Sequence, residues 1–255
     1  MLVAAKESIG KTVGVVVAVC LVCSIIVSGS AIGLRDKQQE NARLDVRTNI
    51  LDAAGVLSKA EGQISTYFDD NIETKYLELK TGQFVDMPVG YTTIEAAARD
   101  PETSHKPEDD FAKLLRQPNV VPVYFAKDDN GNLDTIVVPV YGAGLWGIMR
   151  AFLAVDVDGV TTKNLVYYEH SETPGLGAEV LNPKWKALWD GKKLYDENGN
   201  TAIKIVKGGA QPGDVFGVDA LSGATLTSNG VQSTLDYWLG NNGYQAFFAN
   251  KPWKS

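Results

Sequence analysis

The chain is poor in the residues that most often hold metals or form covalent bonds in enzymes. Its 2 cysteines, Cys20 and Cys23, both lie near the start, and no cysteine follows residue 23. The rest of the chain therefore has no disulfide, no thiol nucleophile and no cysteine ligand for an iron–sulfur cluster. The 2 histidines, His105 and His170, lack metal-site spacing, so we predict no metal site. Redox chemistry after residue 23 would need a bound organic cofactor.

The chain also has too little basic charge for a nucleic-acid-binding protein. It has 24 Lys and Arg against 31 Asp and Glu, a net charge of −7, and a pI near 4.9. No stretch is rich in Lys or Arg. A nucleic-acid surface is usually a basic patch, so we exclude nucleic acid as a partner.

One long uncharged run lies at residues 12–34 and is rich in Val, Ile and Leu. At about 1.5 Å per residue, a helix of this length crosses a hydrocarbon core of about 30 Å. We predict a transmembrane helix here, after an N-terminal flank at 1–11. A cleaved signal peptide is the alternative, because Ser28-Gly29-Ser30-Ala31 resembles a cleavage site. The run contains no Asp, Glu, Lys, Arg or His, so this chain alone is not expected to conduct ions.

Flanking charge leaves the orientation of this span open. Basic residues are more numerous after the span than before it: Lys6 and Lys11 precede it, and Arg35, Lys37, Arg43 and Arg47 follow it. By the positive-inside rule alone, the C-terminal side would be cytoplasmic, although long domains are translocated largely regardless of such charges.

The remaining sequence predicts a helical linker at 35–57 and one domain of the α/β class, of α+β type, at 58–255. Apolar residues four apart predict an amphipathic helix: Ile64, Phe68, Ile72 and Tyr76. A short helix is predicted at 109–115. Strand patterns follow, and we expect strands at 120–126, 135–141, 151–157, 165–168 and 202–206. Asn130-Gly131 and Asp158-Gly159 are hairpin turns by composition, so the sheet should be mainly antiparallel.

Two motifs suggest ligands that we reject. The acidic turns lack the Gly and Glu positions of a calcium-binding EF-hand loop. Gly142-Ala143-Gly144-Leu145-Trp146-Gly147 matches the dinucleotide-binding pattern, but a strand-like run follows it where that pattern needs a helix. These glycines more simply indicate a bend, or a close approach to a flat group against which Leu145 and Trp146 would pack. A tryptophan buried in the sheet explains Trp146 equally well.

The segment Asp219-Ala220-Leu221-Ser222-Gly223-Ala224-Thr225 joins an apolar run to a helical pattern. It predicts a strand end, a tight turn and a helix start, with Ser222 as the N-cap. The N–H groups of a first helical turn have no partner inside the helix, so such an end can bind phosphate. An ordinary capped helix would show the same pattern.

This segment resembles the flavinylation motif Asp-x-x-(Ser/Thr)-Gly-Ala-Thr of proteins that carry FMN as a phosphoester on the last threonine. The order of the anchor, the tract Glu172-Thr173-Pro174-Gly175-Leu176-Gly177 and this motif makes the chain similar to the C subunits of sodium-translocating NADH:quinone oxidoreductases. The resemblance implies covalent FMN on Thr225, and makes these residues candidates for the FMN site: Asp219, Ser222, Gly223, Ala224, Glu172, Thr173, Gly175, Leu176, Gly177, Leu145 and Trp146. Thr227 shares no helix face with Thr225, so we expect it to be dispensable.

The resemblance also implies partners and a location. The chain would carry electrons among the other subunits of the complex, which as a whole exports Na⁺. An FAD-dependent flavin transferase would attach the FMN, and Asp219 would serve that transfer. The domain would lie on the periplasmic side of a bacterial inner membrane. Two alternatives stay open: the flavin-bearing G subunit of the related ferredoxin:NAD oxidoreductase, and a membrane-tethered binding module without redox activity.

Overall fold

The structure is a computed structural model that describes residues 9–254. The helices are α1 (Ile9–Ala53), α2 (Ile64–Asn71), α3 (Ile94–Arg99), α4 (Pro183–Lys186), α5 (Thr225–Leu239) and α6 (Gln245–Asn250). The strands are β1 (Ile72–Glu78), β2 (Gln83–Val85), β3 (Ser104–His105), β4 (Gln117–Pro118), β5 (Val120–Lys127), β6 (Leu133–Ala143), β7 (Ile148–Asp156), β8 (Thr162–Glu169), β9 (Lys204–Val206) and β10 (Gly217–Asp219). Most of the predicted flank at 1–11 lies outside the described residues.

The chain divides into two compact units between residues 45 and 46. In the first unit, α1 exposes its apolar side chains throughout 12–34, as expected of a helix that lies in lipid. It is long and apolar enough to cross a membrane, and no other helix within residues 9–254 meets that test. One apolar helix fits a single-pass anchor. The domain bounds predicted at 34 and 57 stay predictions.

The second unit includes the last turns of α1. Ile50 and Leu51 are buried in a cluster with Phe68 of α2. Arg47 forms an ion pair with Asp69 at 2.9 Å, and its guanidinium lies over the Phe68 ring. Residues 46–53 therefore pack against α2.

The main sheet has six strands in the order β2-β1-β5-β6-β7-β8, and every neighbouring pair is antiparallel. The predicted antiparallel sheet is thus confirmed. The turn at Asn130-Gly131 joins β5 to β6, and the turn at Asp158-Gly159 joins β7 to β8, as their composition predicts. Short connections of this kind fix neighbouring strands in sequence order.

Helices cover both faces of this sheet, because the central strands are apolar on both sides. Ile136, Val138 and Val140 join one core with α5, whereas Val137 joins the other core with α2. This alternation follows from the period of two in a strand. The domain is therefore three layers thick, and α5 is the helix that lies across β6.

Two sequence predictions about helices are corrected. The helix predicted through Ile72 and Tyr76 ends at Asn71, and those two residues lie in β1. The predicted helix at 109–115 is a turn, in which Asp110 accepts hydrogen bonds from the N–H groups of Leu114 and Leu115. The helix α3 was not predicted from the sequence.

Candidate functional site

The loop between β6 and β7 is a tight turn with two exposed apolar side chains at its tip. The N–H of Gly144 donates to the carbonyl of Gly147 at 2.7 Å, which closes the turn. Leu145 is 45% exposed and Trp146 is 66% exposed. The chain then enters β7, as predicted, so the glycine pattern does not have the strand–turn–helix form of a dinucleotide site. The alternative that Trp146 is buried in the sheet is wrong.

Helix α5 approaches the end of β6 more closely than side chains would normally allow. A Cβ on Gly230 would overlap the carbonyl oxygen of Ala143, and a Cβ on Gly142 would overlap the hydroxyl of Thr234. Glycine removes both obstacles. The first turns of α5 are thereby held beside the turn that carries Leu145 and Trp146.

The tract that follows β8 forms a second loop beside this turn. The carbonyl of Thr173 accepts hydrogen bonds from the N–H groups of Leu176 and Ala178, both at 3.1 Å. Gly175 has a φ of 74°, a left-handed conformation that favours glycine. The side chain of Leu176 is exposed, and a Cβ on Gly223 would lie 3.1 Å from its Cδ2 atom. This loop therefore touches the turn before α5.

Glu172 connects these segments from inside. Its side chain is 5% exposed. One carboxylate oxygen, Oε1, accepts from the N–H groups of Leu145 and Trp146 at 2.9 and 3.0 Å. The other oxygen, Oε2, accepts from the hydroxyl of Thr227 at 2.5 Å. The predicted place of Glu172 in the FMN site stays a prediction, and in the structure its carboxylate faces the protein interior.

The segment 219–225 has the predicted strand–turn–helix form, except for its cap. β10 ends at Asp219, Gly223 has a φ of 72°, and α5 begins at Thr225. The N-cap is Ala224, without a side-chain cap, so the prediction that Ser222 caps α5 is wrong. Ser228 instead accepts from the N–H of Leu221 at 3.0 Å and holds the turn from within the helix.

Thr225 is exposed at an uncapped helix end. The first intrahelical bond runs from the N–H of Ser228 to the carbonyl of Ala224 at 2.9 Å. The preceding N–H groups, from Thr225 to Thr227, have no carbonyl one turn earlier to bind. They point out of the helix end at a position where the macrodipole favours negative charge.

A cleft of about 490 Å³ opens beside Thr225, between α5 and the parallel pair β9–β10. That volume is within the usual range for a small-molecule site. It is lined by Ile205, Lys207, Gly208, Gly209, Asp219, Ala220, Leu221, Ser222, Gly223, Thr225, Ser228, Asn229 and Gln232. Lys207 is the only cationic side chain in this lining.

Two aspartates shape the loop that carries Lys207 and the start of β10. Asp219 Oδ1 accepts from the N–H of Ala210 at 2.8 Å, which fixes the glycine pair after Lys207. Asp214 accepts from the N–H groups of Phe216 and Gly217, and these hydrogen bonds lower the pKa of Asp214 below its ordinary value. Both carboxylates thus act on backbone amides of this loop region.

Comparison with known proteins places these segments within a recognised domain. Residues 144–240 match the FMN-binding domain family. Over 248 residues, the chain is 50% identical to the C subunit of the Na⁺-translocating NADH-quinone reductase of Vibrio vulnificus, covering 96% of each chain. The corresponding protein of Yersinia pestis is 46% identical over 247 residues, covering 95% of this chain and 92% of that protein. The chain belongs to the family of these C subunits.

Solved structures agree with the family assignment. The crystal structure of NqrC from Shewanella oneidensis matches with a TM-score of 0.77 and 38% identity, covering 85% of this chain and 98% of that one. The crystal structure of the corresponding C subunit from Parabacteroides distasonis matches with a TM-score of 0.66 and 28% identity, covering 84% and 96%. The relatives are subunits of an oxidoreductase complex. They favour the C subunit of the NADH-quinone reductase over the G subunit of the ferredoxin:NAD oxidoreductase.

Within the fold of this family, three predicted segments meet on one surface. The turn residues Leu145 and Trp146, the tract 172–177 and the segment 219–225 are brought together by Glu172, Leu176 and α5. Lys207 and the exposed Leu226 were not predicted from the sequence, and Thr227 was predicted to be dispensable. Thr227 does lie on a different face of α5 from Thr225, but its hydroxyl is buried and bonded. No short sequence motif predicts the roles of Lys207, Leu226 and Thr227, because these roles depend on contacts between distant segments.

The histidines have local structural partners. His170 Nδ1 accepts from the N–H of Glu172 at 3.1 Å, and His105 Nδ1 lies 2.9 Å from Asn119 Oδ1. Among residues 9–254, no group of three or more His, Cys, Asp or Glu side chains is placed to hold a metal ion.

Proposed function

We propose that this chain is the electron-carrying subunit of a Na⁺-translocating NADH-quinone reductase, and that it holds FMN through a phosphoester on Thr225. The observation that carries the proposal is the exposed Thr225 hydroxyl at an uncapped helix end, within the part of the chain that matches the FMN-binding domain family. The redox chemistry is supplied by the flavin ring of FMN, which accepts and passes on electrons.

The residues around Thr225 suit the phosphate end of FMN. The free N–H groups of the first turn of α5 and the positive end of the helix dipole favour an anion. Lys207 adds a positive charge on the opposite wall of the cleft, and Asp219 holds the loop that carries it. This contact gives Asp219 a structural role before any part in the transfer reaction.

The rim of the site suits the flat, largely apolar end of the cofactor. Leu145, Trp146, Leu176 and Leu226 are all exposed, although large apolar side chains are more stable when covered. An aromatic ring system packed against them would exclude water from these side chains. Leu226 follows Thr225 in the chain, Leu176 lies against Gly223, and Glu172 ties the turn of Leu145 and Trp146 to α5.

A covalent tether keeps the cofactor at a high local concentration near its pocket. This matters most if the domain lies on the periplasmic side of the membrane, where lost FMN would not be readily replaced. We further propose that an FAD-dependent flavin transferase forms the bond. In that reaction the Thr225 oxygen attacks the FMN phosphorus of FAD, AMP leaves, and the hydroxyl proton passes to a base.

Sodium movement is assigned to other subunits of the complex. Between Lys11 and Arg35 the anchor has no Asp, Glu, Lys, Arg or His, whereas ion pathways through membranes normally need such groups. The chain would therefore contribute electron transfer to a coupled process that the whole complex performs.

Intact-mass spectrometry of the denatured chain tests the proposal. The chain produced with an active flavin transferase should carry the mass of FMN less one water, and Thr225→Ala should lack it. Thr66→Ala, which removes an exposed hydroxyl on α2, is the control and should keep the added mass. A wild-type chain without the added mass, or a Thr225→Ala chain that retains it, would refute the phosphoester.

A further inference from the structure

The carboxylate of Glu172 is buried without a basic side chain among its hydrogen-bond partners in residues 9–254. Burying a charged group is costly unless hydrogen bonds compensate for the lost water. Here the compensation comes from two backbone N–H groups and one hydroxyl, all of which donate to the carboxylate oxygens. An ionised carboxylate can only accept hydrogen bonds, and all three of these partners are donors.

Two glycines make room for this carboxylate. A Cβ on Gly144 would lie 2.5 Å from Glu172 Oε1. A Cβ on Gly177 would lie 2.5 Å from Oε2 and 2.6 Å from the Thr227 hydroxyl oxygen. Real Cβ atoms do not approach other atoms so closely, so any side chain at either position would displace the carboxylate. The turn between β6 and β7, the tract 172–177 and the start of α5 thus all pack against the Glu172 carboxylate.

The side chains of the turn do little to hold it in place. Leu145 and Trp146 are largely exposed, so packing contributes little to their position. Their N–H groups are instead fixed by Glu172 Oε1, and Glu172 is fixed to α5 by Thr227. The chain of contacts runs from the tip of the turn to the first turn of the helix that begins at Thr225.

We propose that Glu172 and Thr227 form a positioning pair that sets where Leu145 and Trp146 lie relative to Thr225. The pair acts through the backbone of the turn and does not itself touch the cofactor. Its effect on bound FMN rests on the proposed function, but its effect on the turn does not. Loss of the Thr227 hydroxyl should release the turn while Thr225 remains available for attachment.

Amide hydrogen exchange of the chain produced without a flavin transferase tests the pair directly. Thr227→Val keeps the volume of the side chain and removes the donor. We expect the N–H groups of Leu145 and Trp146 to exchange about tenfold faster in this variant, as expected for the loss of one hydrogen bond to a charged group. Thr227→Ser restores the hydroxyl and should exchange at the wild-type rate.

Two further variants separate positioning from general damage. Thr162→Val removes another fully buried hydroxyl, which donates to the carbonyl of Ala154 away from the turn, and should leave exchange at Leu145 and Trp146 unchanged. Glu172→Gln can accept from both N–H groups through its oxygen and donate to Thr227 through its nitrogen, so it should retain protection. Glu172→Ala should lose it.

The loaded chain gives the second measurement. In Thr227→Val, the intact mass should still show attachment, whereas the visible circular dichroism of the bound flavin should differ from wild type because its surroundings have moved. Wild-type exchange and an unchanged dichroism signal in Thr227→Val would overturn the positioning pair. Faster exchange in Thr227→Val together with a wild-type chain that carries no FMN would overturn only the proposed function.

Discussion

Glu172 and Thr227 lie 55 positions apart in the chain and are joined by a hydrogen bond of 2.5 Å between their side chains. This contact ties the tract after β8 to the first turn of α5. Neither residue projects into the cleft beside Thr225, yet both determine the shape of its surroundings. The expectation that Thr227 is dispensable for flavin attachment stays a prediction, but its contacts argue against a neutral role in the site.

Adding one methyl group at Gly177 should destabilise the domain. The new Cβ would meet Glu172 Oε2 and the Thr227 hydroxyl, and overpacking of this kind costs about 1–3 kcal/mol. Urea unfolding of Gly177→Ala measures the loss. Gly147→Ala is the control, because its Cβ would meet Ser171 at an ordinary 3.5 Å. Equal stability of the two variants would show that the space around the carboxylate is not tight.

Ser222→Ala should leave stability unchanged within about 0.5 kcal/mol, since Ser222 does not cap α5. Thr93→Ala provides the comparison, because Thr93 is the N-cap of α3 and accepts from the N–H of Ala96 at 3.1 Å. Loss of a working cap costs about 1 kcal/mol. Chemical denaturation of both variants should rank them in this order, and the reverse order would restore Ser222 as a cap.

Removal of residues 1–34 should yield a soluble, folded domain, because the apolar exposed part of α1 ends there. Removal of residues 1–53 should destabilise that domain by more than about 3 kcal/mol, because Ile50 and Leu51 would leave their buried sites. Thermal unfolding of the two fragments makes the comparison. If both unfold at the same temperature, residues 46–53 do not belong to the packed core.

The stability contributed by Asp158 should depend on pH. Partial burial opposes its ionisation, but hydrogen bonds from Thr161 and Val160 outweigh that effect and lower its pKa below the ordinary 3.8. A folded-state pKa below the unfolded value stabilises the fold above about pH 4, and the contribution is lost as the pH falls through the folded-state pKa.

Asp158→Asn should therefore be less stable than wild type by about 1 kcal/mol at pH 7, and the difference should shrink below about pH 4. Unfolding curves at a series of pH values provide the test. Asp86→Asn, at an exposed position, should follow the wild-type curve throughout. A difference that grows as the pH falls would contradict the assigned direction.

The sheet could be predicted from the sequence because its signals are local. The apolar run at 135–141 and the Asn-Gly turn before it are patterns formed by residues that are neighbours in the sequence. Spacing of four is ambiguous, however, since residues four apart share one face of a helix and also one face of a strand. Ile72 and Tyr76 fit both patterns, and in the structure they form a strand because they pair with β5.

Predictions failed where the structure depends on particular backbone angles or on distant contacts. Lys113 and Leu115 both adopt a positive φ, which breaks the helix that their composition allows. Thr93 caps α3 and Glu95 lies in its first turn, but a helix of only 6 residues shows too little periodicity to be predicted. The Glu172 contacts join three separate segments, and a motif read along one chain cannot show such pairings.

The exposure of Thr225 in the folded domain has a consequence for the order of biogenesis. An acceptor that already lies at the surface can be reached by a modifying enzyme without any opening of the fold. Under the proposed function, folding can therefore be complete before FMN is attached to Thr225. Any neighbouring protein that later covers residues 222–226 would have to bind after FMN is attached. A chain that assembled without FMN could then no longer be reached by the modifying enzyme.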